Sequence, residues 1–176
     1  YKGEIGAIDS KMLTIATLKG VLNPILQEKV NYINAQTVAK SRGIKIREVK
    51  SEETEHFANL ISVRIRTDKG EQRVAGTLFG QEARIVKING YRVDVTPKGW
   101  LLIVPHNDHP GIIGATGVIL GEKTINIMSM QVVRTEVVGK SIMFLEVEAE
   151  VPNDTLLKIK AVDGIFGAKL VNFDAK

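Results

Sequence analysis

Four polar residues in succession, His106, Asn107, Asp108 and His109, end an apolar run at 101–104 and stand directly before Pro110 and Gly111. An apolar run of that length reads as a buried strand. Proline is favoured as a first helical residue because the N–H it lacks has no helical partner there. The spacing therefore predicts a helix opening at Pro110, with the free amides of Gly111, Ile112 and Ile113 in its first turn. Such amides receive an anion, and the field of the helix end adds roughly 0.3–2 kcal/mol. Asp108 suits an ammonium, His106 adds a polar contact, and Asn126, set among the apolar residues of a following strand start, carries both a donor and an acceptor. A small zwitterion would satisfy both charges at such a turn. The same residues also fit a plainer account, in which Asp108 caps the helix and Asn126 satisfies a bent strand start. The pattern alone leaves both open.

Other chemistries find less support. His106 and His109 beside Asp108 are too few ligands for a metal, and none is expected. Gly111, Gly114 and Gly117 have neither the spacing of a dinucleotide loop nor the Lys-Ser/Thr that follows a P-loop, so Gly114 and Gly117 are read as positions where the helix packs closely on its sheet or on a partner. No serine stands in a His-and-acid pattern and no carboxylate pair is evident, so no catalytic residue is expected. Arg64, Arg66, Arg73, Arg84, Lys87 and Arg92 fall on neighbouring hairpin strands, where same-face side chains can converge on a phosphate or carboxylate. They are equally the outward positions of a one-sided antiparallel sheet.

These residues need elements to position them. After a first strand at Tyr1, Asp9 or Ser10 caps a helix that Gly20 stops, and Asn23-Pro24 opens a second that Gly43 ends. Ile44, Ile46 and Val49 alternate with basic residues as a strand would, and 51–55 is a charged loop. Two hairpins come next: 61–66 with 72–79 around Asp68-Lys69-Gly70, and 84–88 with 91–95 around Asn89-Gly90, the dipeptide suited to a type I′ turn. The breaker-rich segment 96–99 marks a domain boundary. Beyond it come strand 101–105, a helix 111–120 closed by Gly121, strands 125–134 and 141–149, a helix through Ile159 and a strand 165–173. This is the βαββαβ order of a ferredoxin-like domain. The reading is an α+β protein: an N-terminal α/β domain at 1–98, its mixed or antiparallel sheet carrying helices on one side, and a ferredoxin-like domain at 99–176.

Composition narrows the class. The chain has 176 residues, enough for two small cores, and no cysteine, which fits a reducing cytoplasm and removes thiolate chemistry. No apolar run reaches the ~18 residues of a membrane span. Residues 1–99 hold 17 Lys+Arg against 11 Asp+Glu, the remainder 7 against 9. The basic residues are dispersed and aromatics make up only 5% of the chain, so no nucleic-acid partner is expected. Tyr1 opens directly into a strand pattern, so the chain reads as a piece of a longer protein.

The segment HNDHPGIIGATGVILGEKTINI resembles an ACT domain, the ligand-sensing module of amino-acid metabolic enzymes. Together with NPILQEKVNYINAQTVAKSRGI, VAGTLFG and RIVKINGYRVDVTPKGWLLIVPHND in this order, essentially the whole chain is similar to the allosteric substrate-binding and ACT domains of the long-form D-3-phosphoglycerate dehydrogenase family. That resemblance implies a cytoplasmic enzyme of L-serine biosynthesis that oxidises 3-phosphoglycerate with NAD. Its catalytic residues and its cofactor would lie outside this piece, which would be inactive alone. It implies L-serine, or another small amino acid, bound between ACT domains of a homodimer or tetramer. His106, Asp108 and Asn126 fall on the serine-contacting positions and the amides near Ile112 and Ile113 on the carboxylate position. His109 departs from the usual arginine. Arg84 and Arg92 become candidates for an anion or phosphorylated-substrate site. Two alternatives stand beside this: the regulatory portion of iron-sulphur L-serine dehydratase, whose Ser-rich motif is missing here, and a dimerisation module that senses nothing.

Overall fold

A computed structural model describes residues 1–26, 29–53, 56–68, 70–134 and 138–174. The chain forms two compact units, Tyr1–Glu82 and Ala83–Lys176. Helices and antiparallel strands occur in both, giving the α+β class expected.

In the first unit, strand β1 (Lys2–Gly3) pairs antiparallel with β2 (Asn59–Thr67), which pairs with β3 (Gly70–Phe79). Three helices precede the hairpin: α1 (Glu4–Ala7), α2 (Lys11–Leu22) and α3 (Ala35–Ser41). Ile15, Leu18 and Leu22 of α2 pack with Val30 and with Ala35 and Ala39 of α3 to form this unit's core. Three sequence readings need correction. Gly20 does not stop α2, because the buried Leu22 carries the helix two residues further. Asn23-Pro24 opens no helix. Asn23 ends α2 instead, and its side-chain oxygen accepts the Val30 amide. Among the described residues of the long helix expected over 24–43, only α3 is helical, because Asn31 and Asn34 cross-bond: Asn31 Oδ1 accepts the amides of Ile33 and Asn34, and Asn34 Oδ1 accepts that of Asn31. Short amide side chains that bond the local backbone compete with helix in this way. The expected stop at Gly43 is seen, at φ 68°.

The strand expected at Ile44, Ile46 and Val49 is absent, and these residues stay exposed. Alternation makes a ladder only where a neighbour supplies one. The segment is tied down by scattered bonds instead: Ser10 and Thr14 hydroxyls donate to the Glu48 carboxylate, the Tyr1 amino group to Val49 O, Gly3 N–H to Ser51 O and Ser51 N–H to Tyr1 O. In the β2–β3 turn, Lys69 lies outside the described residues.

The second unit contains β4 (Glu82–Ile88) from Ala83 onward, β5 (Tyr91–Val95), β6 (Trp100–Asn107), α4 (Ile112–Glu122), β7 (Ile127–Arg134), β8 (Lys140–Val147), α5 (Asn153–Lys160) and β9 (Lys169–Asn172). Asn89 and Gly90 both take positive φ, 50° and 91°, as a type I′ turn requires. From β6 onward the order is βαββαβ, with spatial order β7-β8-β6-β9 and every neighbouring pair antiparallel. One face of this sheet packs on the helices through Leu102, Val104, Met143 and Leu145 against Ile112, Leu120 and Ile159. Its other face is covered as well: Val93 and Val95 of the β4–β5 hairpin pack against Leu101 and Phe144. The sheet therefore has apolar residues on both sides, which explains the near-continuous run Ile142-Met143-Phe144-Leu145 in β8. The β4–β5 hairpin packs on the βαββαβ sheet through Val93 and Val95 and falls within the second compact unit. A breaker ends a strand; it does not decide what that strand packs against.

Candidate functional site

Alternation along β6 puts Leu102, Val104 and His106 on the helix-facing side of the sheet. His106 is 2% exposed and sits opposite Ser141 of β8, which in turn sits opposite Arg134 of β7. Three polar residues thus stand abreast across three strands. The His106 ring meets the Asn107 carbonyl through Nδ1 at 2.6 Å. A carbonyl only accepts, so Nδ1 carries a proton, and Nε2 is buried without a partner among the described residues. Ser141 Oγ is also buried, with no partner among the described residues. Two unsatisfied polar atoms in directly opposed residues are uncommon and invite a bridging group.

The turn after β6 is pinned through its backbone. Asn107 N–H donates to Gly164 O at 2.7 Å and Asp108 N–H to Gly139 O at 2.8 Å. Gly111 then takes φ 99°, which favours glycine, and immediately precedes the helix. Pro110 is therefore not the first helical residue, since α4 opens at Ile112. The N-cap position is held by Gly111, which has no side chain to bond the first-turn amides. The Asp108 carboxylate instead takes the Arg134 guanidinium, Nε to Oδ2 at 2.8 Å. Ile112 is buried, whereas Ile113 is half exposed at the helix start. At the other end of α4 the left-handed residue is Thr124, φ 57°, and not Gly121.

His109 points its Nδ1 to the Pro110 carbonyl, away from the buried contact of His106. Among the described residues, no group of three or more His, Cys, Asp or Glu comes together to hold a metal.

Asn126 stands apart. It is exposed, and its backbone carbonyl accepts the Glu148 amide at the start of β7. Arg134, level with His106, ends the same strand. At about 3.3 Å per residue, roughly 20–25 Å separates Asn126 from the His106 level. A single chain does not bring Asn126 to the turn.

Sequence reasoning missed Arg134, Ser141 and Gly164. The first two become partners of the turn only through strand register, which no local pattern announces. A Cβ built on Gly164, φ 83°, would come within 2.9 Å of His109 Nε2 and 3.0 Å of Ile112 Cδ1, so this glycine forms a close wall of the turn.

The basic residues divide into three arrangements. Arg64, Arg66 and Arg73 converge, as same-face positions allow, but on Glu71, at 3.3, 2.7 and 3.3 Å. The Arg66 hydrogen bond, with the positive charge of Arg64 behind it, holds the Glu71 carboxyl below its ordinary value. Arg84 pairs with Asp94 at 3.3 Å. Arg92 is exposed opposite Lys87 and lines a groove of about 360 Å³ with Asn89, Gly90, Tyr91, Val133 and Arg134.

Comparison with known proteins gives the arrangement a family. Residues 1–89 match the D-3-phosphoglycerate dehydrogenase intervening domain. The chain is 36% identical over 172 residues to the D-3-phosphoglycerate dehydrogenase of Methanocaldococcus jannaschii, covering 98% of this chain and 33% of that protein. It is 38% identical over 171 residues to the enzyme of that name from Archaeoglobus fulgidus, 96% of this chain and 32% of that protein. For the Bacillus subtilis enzyme of the same name the identity is 37% over 175 residues, 98% of this chain and 33% of that protein. The chain spans about a third of the length of these curated relatives. Among the described residues, no helix is long and apolar enough to cross a membrane. The match runs on past the intervening domain through the second unit, and the chain belongs to the D-3-phosphoglycerate dehydrogenase family.

Proposed function

We propose that this chain is a regulatory part of a D-3-phosphoglycerate dehydrogenase and that its second unit is an ACT domain holding a small α-amino acid, L-serine, at the turn after β6. The observation that carries the reading is the buried His106 Nε2, without a partner among the described residues, on a turn whose Asp108 carboxylate and glycine-led helix start follow directly in the chain. A zwitterion supplies what each group lacks. Its ammonium suits Asp108, its carboxylate the amides of Ile112 and Ile113, and a side-chain hydroxyl donates to His106 Nε2 or pairs with Ser141 Oγ. The whole protein would oxidise 3-phosphoglycerate with NAD, and the amino acid would restrain that reaction as the end product of the pathway. Membership of the dehydrogenase family favours this reading over the L-serine dehydratase alternative.

Asn126 enters the site through a second copy. β7 is an edge of its sheet and exposes Met128, Met130 and Val132. Antiparallel pairing of two β7 edges about a two-fold axis sets the start of one strand beside the end of the other. Asn126 of the partner subunit would then lie beside Asp108 and the end of β7. Each turn is half of a binding site, and two sites form per dimer.

Calorimetry with L-serine and sedimentation test the reading together. The expected result is saturable heat from the wild type, loss of at least tenfold in affinity with Asp108→Ala and with Asn126→Ala, and a dimer or tetramer. No heat at millimolar L-serine, or an unchanged response from Asp108→Ala, would overturn it.

A further inference from the structure

We infer that the first unit holds an open slot for one more length of strand, and that the residues running into Tyr1 in a full-length dehydrogenase fill it. The inference rests on the reading of this chain as part of a longer enzyme and is independent of the amino-acid site.

Two neighbours border β1, and both outrun it. On one side β2 is nine residues long, yet β1 covers only Asn59 and Leu60. Among the described residues, no strand lies beside the rest of that edge. On the other side, residues 49–51 run parallel to 1–3. The Tyr1 amino group donates to Val49 O, Ser51 N–H to Tyr1 O and Gly3 N–H to Ser51 O, each at 2.9 Å. These are the slanted bonds of a parallel ladder. The ladder stops at Tyr1, but its partner does not. From Lys45 to Lys50, no backbone N–H makes a hydrogen bond among the described residues. β1 itself sets the spacing of the two borders at one strand.

The two registers agree on which side chains share a face. Lys2 lies level with both Leu60 and Ser51. Alternation then puts Tyr1 and Glu48 on one face with Ile44 and Ile46 of one border and Ile61, Val63 and Ile65 of the other. The Tyr1 hydroxyl and the Glu48 carboxylate both meet Thr14, so this face is turned to α2. Ile44, Ile46 and Ile65 are nevertheless exposed. Carried backward from β1, the second residue before Tyr1 falls between Glu48 and Val63, and the fourth between Ile46 and Ile65. A strand there satisfies backbone groups on both borders and joins their apolar residues into one surface. A second copy would have to end its strand against Tyr1, whereas the chain's own upstream residues continue β1 without a break. The match covers only 33% of the Methanocaldococcus jannaschii relative, so such enzymes carry ample further chain. The junction with the rest of the enzyme is then a central strand bonded on both edges, and a pull on it reaches the first unit directly.

Hydrogen exchange read by mass spectrometry compares the 176-residue chain with the full-length protein expressed from its gene. The amides of 45–49 are expected to exchange more slowly by roughly tenfold or more in the full-length protein. The second and fourth residues before Tyr1 should be apolar. Arg47→Pro removes an N–H that alternation aims into the slot. It should abolish the protection in the full-length protein and leave exchange in the 176-residue chain unchanged. Equal exchange of 45–49 in the two proteins, or charged residues at both upstream positions, overturns the inference. Protection that grows with the concentration of the 176-residue chain gives the slot to a second copy and overturns it as well. A gene that encodes nothing ahead of Tyr1 overturns the longer enzyme and this inference together, whereas failure of the L-serine calorimetry bears on the pocket alone.

Discussion

At the scale of single residues, the turn after β6 owes its shape to glycines. Gly111 and Gly164 take φ 99° and 83°, and Gly164 also presses against His109 and Ile112. Gly164→Ala is expected to cost about 1–3 kcal/mol, because the new Cβ adds a steric clash to a left-handed backbone. A lowered denaturant midpoint with an unchanged slope checks it. That His106 and Asp108 lie on a turn between a strand and a helix was legible in the sequence because the three are adjacent in the chain. Ser141 was not, since its place opposite His106 depends on strand register between distant parts of the chain. Arg134 carried a further obstacle: a lysine or arginine at a strand end reads as a solvated charge, and only the fold reveals that Asp108 is its partner.

At the scale of elements, α4 shows both what local pattern gives and what it misses. Its existence was clear from the apolar residues between two glycines, but both ends were misplaced, at Pro110 and Gly121. The left-handed stop falls on Thr124, a β-branched residue for which that backbone is strained. Thr124→Gly should therefore raise stability by up to about 1 kcal/mol, read as a higher melting temperature, as the relief of strain exceeds glycine's entropy cost. In the β2–β3 hairpin the alternation that suggested an anion site was correctly paired, yet the converging anion is the chain's own Glu71. That carboxyl ionises more easily folded than unfolded, held down first by the Arg66 hydrogen bond. Its contribution to stability is complete above its ordinary value of 4.5 and fades as pH falls through the lowered folded value. Glu71→Gln should abolish that part of the acid-side decline, measured by denaturant unfolding from about pH 6 downward. An unaltered pH profile would show that the three arginines do not hold Glu71 in solution.

At the scale of the whole molecule, composition and breakers indicated two units, and the βαββαβ order of the second was read almost entirely from its hydrophobic pattern. Packing across the breaker segment was not legible, because Thr96-Pro97-Lys98-Gly99 looks like a linker while the residues just before it, Val93 and Val95, are core of the second unit. This has a bearing on where the gene can be divided. A piece beginning at Gly99 keeps every helix and strand of the βαββαβ order but strips the cover from Leu101, Ile103, Ile142, Phe144 and Val171. Such an exposed apolar sheet face invites association. The piece 99–176 should bind a hydrophobic dye and precipitate, whereas 83–176 should stay in solution as a folded species. Any recombination event, natural or made in the laboratory, that transplants the sensing unit onto another enzyme is expected to carry the Asn89-Gly90 hairpin with it.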